Sequence, residues 1–170
     1  MKLIDILLRE SFEDNSFNID EFKRWFKGSK IRMGSQPRLV YHGTNKRFDK
    51  FDKEYIGSND HGFWGRGFYF HDNGVYAKGY ADVETEYNDG ETNIITACLK
   101  IKNPFYLGND KQPFQSEEQA SKFTDKVISN GYDGIVADGL HGGDEFVVFE
   151  PNQIWIFSKD DLEVFYDYYE

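Results

Sequence analysis

The spacing of apolar residues divides the chain into helical and extended segments. Between residues 17 and 26, aromatic and aliphatic side chains recur three or four positions apart, which predicts an amphipathic helix. Ser16 or Asn18 is a candidate N-cap, because either side chain can accept hydrogen bonds from the first backbone N–H groups. Gly28 interrupts the pattern, so we expect the helix to end before it.

Alternating apolar residues predict that much of the remaining chain forms strands. The predicted strands cover residues 38–42, 68–71, 92–101, 134–137, 145–149 and 153–157. The third of them should stop before Pro104, because proline cannot donate to a strand ladder. Two helices are predicted, at residues 72–83, with Asp72 or Asn73 as the cap, and at residues 116–128. Strands that cluster without regular alternation with helices indicate an α+β fold with a mostly antiparallel sheet.

Linker-type residues from Gly34 to Pro37 divide the chain into two parts. We therefore predict an N-terminal helical appendage, residues 1–36, and one globular domain, residues 37–170, which is long enough to bury its own core. The acidic residues 160–170 are expected to form a solvated tail, or to dock a basic partner through their aromatic side chains.

Composition and charge restrict the class of protein. The chain carries 30 acidic and 20 basic residues, and because an acidic surface repels phosphate backbones, a nucleic-acid partner is less expected. Cys98 is the single cysteine, which excludes an intrachain disulfide. No apolar run is long enough to cross a membrane, and Asp5 and Arg9 interrupt the N-terminal apolar segment. We therefore expect a soluble, cytoplasmic protein without a signal peptide.

The histidines do not have the spacing of metal ligands, and the single cysteine cannot complete a site, so we expect no metal. His61 and His71 are expected to be exposed, in a loop and at a strand end. The clustered glycines before residue 68 precede a strand and do not open a helix, so they are not the dinucleotide fingerprint of a Rossmann fold.

The segment His42-Gly43-Thr44 follows directly from a predicted strand. A glycine there lets a ligand approach the backbone closely enough to use its N–H and C=O together, which suits a carboxamide. Three residues are a weak signal, and a structural histidine at a strand end is the alternative.

Two tyrosines stand eleven residues apart, Tyr69 on a predicted strand and Tyr80 on the following helix. Two facing rings would clamp a flat heteroaromatic ring, and offset stacking contributes about 1 kcal/mol per ring beyond burial. Ordinary packing between sheet and helix is the alternative.

Glu145 begins an otherwise apolar strand, where neighbouring hydrophobic side chains would desolvate its carboxylate unless it met a partner. A carboxylate held near a ribose stabilises the positive charge that develops when a nicotinamide bond breaks. A solvated charge at a strand edge is the alternative.

In this order, the three motifs resemble those of the His-Tyr-Glu class of ADP-ribosyltransferases, to which diphtheria toxin and the poly(ADP-ribose) polymerases belong. The resemblance covers roughly residues 38–157. It implies the ADP-ribosyltransferase fold, which has two packed, mostly antiparallel sheets with flanking helices, and it implies NAD as the substrate.

The resemblance also implies a role for each matched residue. The implied NAD-binding residues are His42, Gly43, Thr44, Tyr69 and Tyr80, and the implied catalytic residues are Glu145, Tyr80 and His42. The Gly43 backbone would hold the nicotinamide amide, the two tyrosines would stack on the ring, and His42 would contact a ribose hydroxyl. Glu145 would bind the nicotinamide-ribose hydroxyl and promote departure of nicotinamide.

The chain departs from the pattern of polymer-forming members in two places. Ala77 stands where those members have a serine that bonds the carboxamide, so that contact is missing or supplied elsewhere. The short loop 138–143 leaves little room for acceptor-binding elaborations, which favours mono-ADP-ribosylation of a protein acceptor. An NAD glycohydrolase, or a non-catalytic protein-binding module on the same fold, are the alternatives.

Basic residues before the second motif offer a site for a diphosphate. They are Lys46, Arg47, Lys50, Lys53 and Arg66, of which Arg66 is also expected near the acceptor. Interleaved acidic residues nearly cancel their charge, so a solvated loop is the alternative.

Residues 1–10 resemble the capsid-targeting leaders of tailed-phage internal proteins, with Leu8-Arg9-Glu10 similar to their processing site. This resemblance implies an enzyme that is packaged in a virion and delivered to the host cytoplasm, where it would modify a bacterial protein. An ordinary amphipathic cap helix is the alternative.

Overall fold

A computed structural model describes residues 17–57, 61–108, 110–140 and 142–170 of the chain. The predicted leader, residues 1–10, lies outside the described residues. The α-helices in these ranges are α1 (Ile19–Phe26), α2 (Gly74–Tyr87), α3 (Glu117–Ser129) and α4 (Lys159–Tyr169). The strands are β1 (Arg32–Met33), β2 (Gln36–Pro37), β3 (Val40–Thr44), β4 (Phe68–His71), β5 (Asn93–Leu99), β6 (Pro104–Leu107), β7 (Gly134–Leu140), β8 (Gly143–Val148) and β9 (Ile154–Phe157).

The main sheet has seven strands in the order β6-β7-β8-β4-β3-β5-β9, and β1 pairs with β2 in a separate ribbon. Neighbouring strands are antiparallel except β6 and β7, which are parallel. At the centre, β3 and β4 pair at one register position, Tyr41 opposite His71, whereas β3 and β5 pair along five. The sheet is therefore divided into two halves, β6-β7-β8-β4 and β3-β5-β9.

The two halves share one hydrophobic core. It includes Val40 and Ala97 from one half and Phe68, Phe70 and Phe146 from the other. The predicted α+β class with mostly antiparallel strands is confirmed. The expected pair of sheets is observed as two halves of one sheet, which pair with each other at a single register position.

Helix α3 covers the outer face of the β6-β7-β8-β4 half. Its Val127 packs with Trp64, Ile135, Val147 and Phe149 in a second cluster. These residues come from β7, β8 and its end, one helix and the loop before β4, so this cluster holds the loop against the sheet.

Helices α1 and α4 cover the outer face of the other half, where Phe22, Phe26, Cys98, Phe157 and Phe165 form a third cluster. Phe22 is fully buried, and truncating a buried phenylalanine costs about 3–5 kcal/mol. Helix α1 thus packs into the same body as the strands that follow it.

The predicted start and end of α1 match the structure. The Asn18 side chain accepts hydrogen bonds from the backbone N–H groups of Asp20 and Glu21, at 3.1 and 3.0 Å. Gly28 adopts a φ of 85°, in the left-handed region that favours glycine after a helix.

The expected tail after residue 160 is a packed helix, α4, on which Asp160, Glu163 and Asp167 are exposed as expected. Ser158 caps the helix and forms a reciprocal capping box with Asp161. Phe165 is buried against the third cluster. Asp160 and Asp161 lie in the first turn, where carboxylates stabilise a helix.

The predicted strand end before Pro104 is confirmed, because β5 ends at Leu99. Strand β6, which begins at Pro104, was not predicted; because it is an edge strand, the missing N–H of its first residue costs little. The predicted loop 138–143 is largely a β-hairpin, since β7 runs to Leu140 and β8 begins at Gly143. Among the described residues, none of the helices has the length and apolar content needed to cross a bilayer.

Candidate active site

A cavity of about 410 Å³ lies between β3 and β4, where the sheet divides. This volume is within the usual range for small-molecule sites. Its walls come from β3, the loop over residues 45–57, β4, helix α2 and the start of β8. The residues that the sequence predicted for the site all line it: His42, Gly43, Thr44, Tyr69, Tyr80 and Glu145. Their proximity is a structural fact, whereas their roles stay predictions.

Gly43 lets the backbone of β3 touch helix α2. An added Cβ at this position would lie 1.9 Å from the carbonyl oxygen of Ala77, so no other residue fits without moving the helix. The neighbouring Thr44 is buried, and its hydroxyl accepts a hydrogen bond from the Lys46 N–H at 3.2 Å. Close packing against α2 therefore favours glycine at position 43, in addition to the predicted approach of a ligand to the backbone.

The His42 ring is held in one orientation at the cavity wall. Its Nδ1 lies 2.7 Å from the Tyr69 carbonyl oxygen, and since a carbonyl accepts, Nδ1 carries the proton. The ring packs against Phe51 and Phe70, with centroid separations of 5.1 and 5.6 Å. Burial lowers the pKa of His42 below its ordinary value, so the ring is neutral at pH 7 and its Nε2 is a hydrogen-bond acceptor.

The two predicted ring-stacking tyrosines come from different elements. Tyr80 lies on α2 and is 37% exposed. Tyr69 lies on β4, and its hydroxyl donates to the Gly65 carbonyl at 2.5 Å and accepts from the Trp64 N–H at 2.9 Å. The ring of Tyr69 is thus anchored by its hydroxyl, whereas that of Tyr80 borders solvent.

Glu145 lies on β8 between two neighbouring strands, opposite His71 on β4 and Ala137 on β7. Its side chain is half-buried, and its Oε2 accepts a hydrogen bond from the indole N–H of Trp64. This position does not match the alternative of a solvated charge at a strand edge. A half-buried carboxylate with a specific donor is the kind of group that acts electrostatically on a ligand.

His71 is buried, so the prediction of an exposed strand-end histidine is wrong. Its Nδ1 accepts the Asn73 N–H at 2.8 Å, and its ring lies 4.5 Å from that of Tyr76. Burial, followed by the charge of Glu145, raises the pKa of the Tyr76 hydroxyl. His71 and Tyr76 therefore border the cavity beside Glu145, although neither was singled out as a site residue.

An ion-pair network lies beside the start of β8. The Arg38 guanidinium bridges Asp72 and Asp144, with a separation of 2.7 Å to the Asp144 carboxylate. Asp72 also accepts the backbone N–H of Asp144 at 3.0 Å. The network ties the end of β4 to the residue before Glu145. These partners are 34 and 106 positions from Arg38 in the chain, so no local motif reveals them.

The opposite end of the cavity is formed by the loop over residues 45–57. Lys46, Arg47 and Lys50 line it, and all three are exposed. Arg66 does not line the cavity: its guanidinium pairs with Glu117 on α3 and donates to the Ile56 carbonyl of this loop at 3.4 Å. In the described part of the chain, no cluster of histidine, cysteine or carboxylate side chains is arranged to hold a metal ion.

The mixed α+β fold and its strand-lined cavity are consistent with the fold of ADP-ribosyltransferases, which use NAD as substrate. The family described as ADP-ribosyltransferase in polyvalent proteins matches residues 34–161, and this span contains every residue that lines the cavity. The match covers more than half of the chain, so the chain belongs to this family. No curated protein matches it.

Proposed function

We propose that this chain is a mono-ADP-ribosyltransferase of the His-Tyr-Glu class that cleaves the nicotinamide bond of NAD and transfers ADP-ribose to a protein. The observation that carries the proposal is the single cavity lined by His42, Tyr69, Tyr80 and Glu145 in a chain of the ADP-ribosyltransferase family. The proposed catalytic domain covers residues 37–170, and residues 1–36 are its N-terminal appendage, whose helix α1 packs against that domain.

In the proposed complex, the nicotinamide ring of NAD lies between Tyr69 and Tyr80, and its amide bonds to the backbone of Gly43. The Nε2 of His42 accepts a hydrogen bond from a ribose hydroxyl, a role that suits a neutral histidine whose Nδ1–H is already used. The diphosphate extends toward the exposed lysines of the 45–57 loop, where opposite charge attracts it.

Glu145 supplies the proposed catalytic charge. The bond between ribose C1′ and nicotinamide breaks with both electrons leaving on nicotinamide, so positive charge develops on the ribose. A carboxylate at this place stabilises the transition state more than it stabilises bound NAD, which raises kcat. The acceptor nucleophile then bonds to C1′ and loses its proton, for which Glu145 is the nearest proposed base.

The acceptor is proposed to be a protein, and for a phage-delivered enzyme it would be a protein of the bacterial host. The hairpin between β7 and β8 is short, which supports transfer of a single ADP-ribose unit. The net charge of -10 argues against a nucleic-acid acceptor.

The test is incubation of the chain with NAD labelled in its adenylate phosphate and a bacterial lysate. The proposal expects label on one or a few protein bands with the wild type and none with Glu145→Gln. Label that appears only as free ADP-ribose identifies an NAD glycohydrolase, and label on nucleic acid identifies a different acceptor. No consumption of NAD identifies a non-catalytic module.

A further inference from the structure

Trp64 makes two hydrogen bonds to residues that line the candidate site. Its indole N–H donates to the Glu145 carboxylate, and its backbone N–H donates to the Tyr69 hydroxyl at 2.9 Å. One residue thus contacts both a predicted ring-stacking side chain and the predicted catalytic carboxylate. Sequence reasoning did not single out Trp64.

The indole ring of Trp64 is held by the core and not by the cavity. The side chain is only 5% exposed and packs with Val127, Val147 and Phe149 between helix α3 and the sheet. A ring enclosed in this way has one orientation, so its N–H already points at the carboxylate before any ligand binds.

The loop that carries Trp64 is fastened to helix α3. The Arg66 N–H donates to the Thr124 hydroxyl at 2.7 Å, and an added Cβ at Gly65 would lie 2.8 Å from that same oxygen. Gly65 also has a φ of 131°, which favours glycine. These contacts explain why residue 65 is glycine, and they hold the loop that carries Trp64 against helix α3.

We infer that Trp64 is a positioning residue for Glu145, an inference that rests on the proposed function. Its indole N–H holds one carboxylate oxygen and thereby directs the Glu145 carboxylate toward the ribose. A hydrogen bond to a charged group is worth enough that its loss lowers kcat about 10- to 100-fold. The KM for NAD changes by less than about twofold, because Trp64 does not contact the substrate.

The kinetic test compares Trp64→Phe with Trp25→Phe. Phenylalanine keeps an aromatic ring but removes the indole N–H, and Trp25 donates its own indole N–H to the Asn152 carbonyl at 3.0 Å, outside the cavity. We expect the kcat for nicotinamide release to fall in Trp64→Phe alone. We also expect that, as the pH is lowered, the activity of Trp64→Phe begins to decline at a higher pH than that of the wild type. The reason is that the carboxylate is easier to protonate without its donor. If Trp64→Phe and Trp25→Phe have equal kcat values and both keep the pH profile of the wild type, the inference is wrong.

A second measurement does not require activity or a folded Trp64 variant. The chain has three tryptophans, so a spectrum with ¹⁵N-labelled indole groups contains three resolvable N–H signals. In the wild type, the Trp64 signal is expected to shift with pH as Glu145 titrates, and this shift is expected to disappear in Glu145→Gln. The Trp25 signal should not change. A Trp64 signal that ignores both pH and Glu145→Gln contradicts the inference, whether or not the chain turns over NAD.

Discussion

The two ends of the cavity differ in how their side chains are held. At one end, Glu145 and His71 lie on adjacent strands, and the hydrogen bonds of Trp64 and Asn73 fix their orientation. At the other end, exposed cationic side chains extend from the 45–57 loop. The first end is organised before a ligand arrives, whereas at the second the lysines are exposed and Arg47 pairs with the exposed Glu91.

For the proposed transferase, this difference suits the two ends to different tasks. A fixed carboxylate in a half-buried place acts on a developing charge at little reorganisation cost, so the strand end suits bond cleavage. Exposed charges on a loop are screened by salt and attract a diphosphate without orienting it strongly. Changes at the strand end should therefore lower kcat, and changes at the loop end should raise KM.

The largest effect is expected from Glu145→Gln. The amide has nearly the shape of the carboxylate but no charge, so kcat for nicotinamide release should fall by about 100- to 1000-fold. Binding of NAD, measured by calorimetry, should change by less than about twofold. A variant with undiminished turnover would remove Glu145 from the catalytic role.

A smaller effect is expected from Tyr80→Ala at the solvent border of the cavity. Loss of one stacked ring and its burial should raise the Kd for NAD about 5- to 20-fold and also lower the rate. Tyr87→Ala is the matched control, because Tyr87 lies on the same helix and is 80% exposed. Equal affinities for the two variants would mean that Tyr80 only packs.

At the loop end, Lys50→Ala is expected to raise the KM for NAD about two- to fivefold at low ionic strength with kcat unchanged. The difference in KM between Lys50→Ala and the wild type should vanish at about 0.5 M salt, because the ions then screen the lysine charge over a short distance. Lys122→Ala serves as the control, since Lys122 pairs with Glu118 on the surface of α3. A salt-independent effect would contradict an electrostatic role.

The smallest effect concerns the pH dependence of stability. Because burial lowers the pKa of His42 below its ordinary value of 6.5, the unfolded chain takes up a proton in that interval before the folded chain does. Folding stability therefore falls as pH drops through 6.5 toward the lowered value. Between pH 7 and pH 5.5, the Tm of the wild type should fall more than the Tm of His42→Gln, as measured by thermal denaturation. Parallel Tm curves would show that His42 titrates normally.

The parts of the molecule that the sequence predicts best are those with local signals. The start of α1 follows from Asn18, and the residues around the cavity follow from short motifs on β3, β4, α2 and β8. Long-range partners have no local signal, which is why Trp64, Arg38 and the burial of His71 were not predicted. Each of these depends on elements that only the folded sheet brings together.

The central claim is that one pocket binds the nicotinamide ring of NAD and that Glu145 faces ribose C1′, the carbon whose bond to nicotinamide breaks. The most direct measurement is a crystal structure of Glu145→Gln, which should bind NAD without consuming it. The account predicts the nicotinamide ring at stacking distance from Tyr69 and Tyr80, with ribose C1′ beside residue 145. Nicotinamide bound outside this pocket, or a ribose turned away from residue 145, would contradict it.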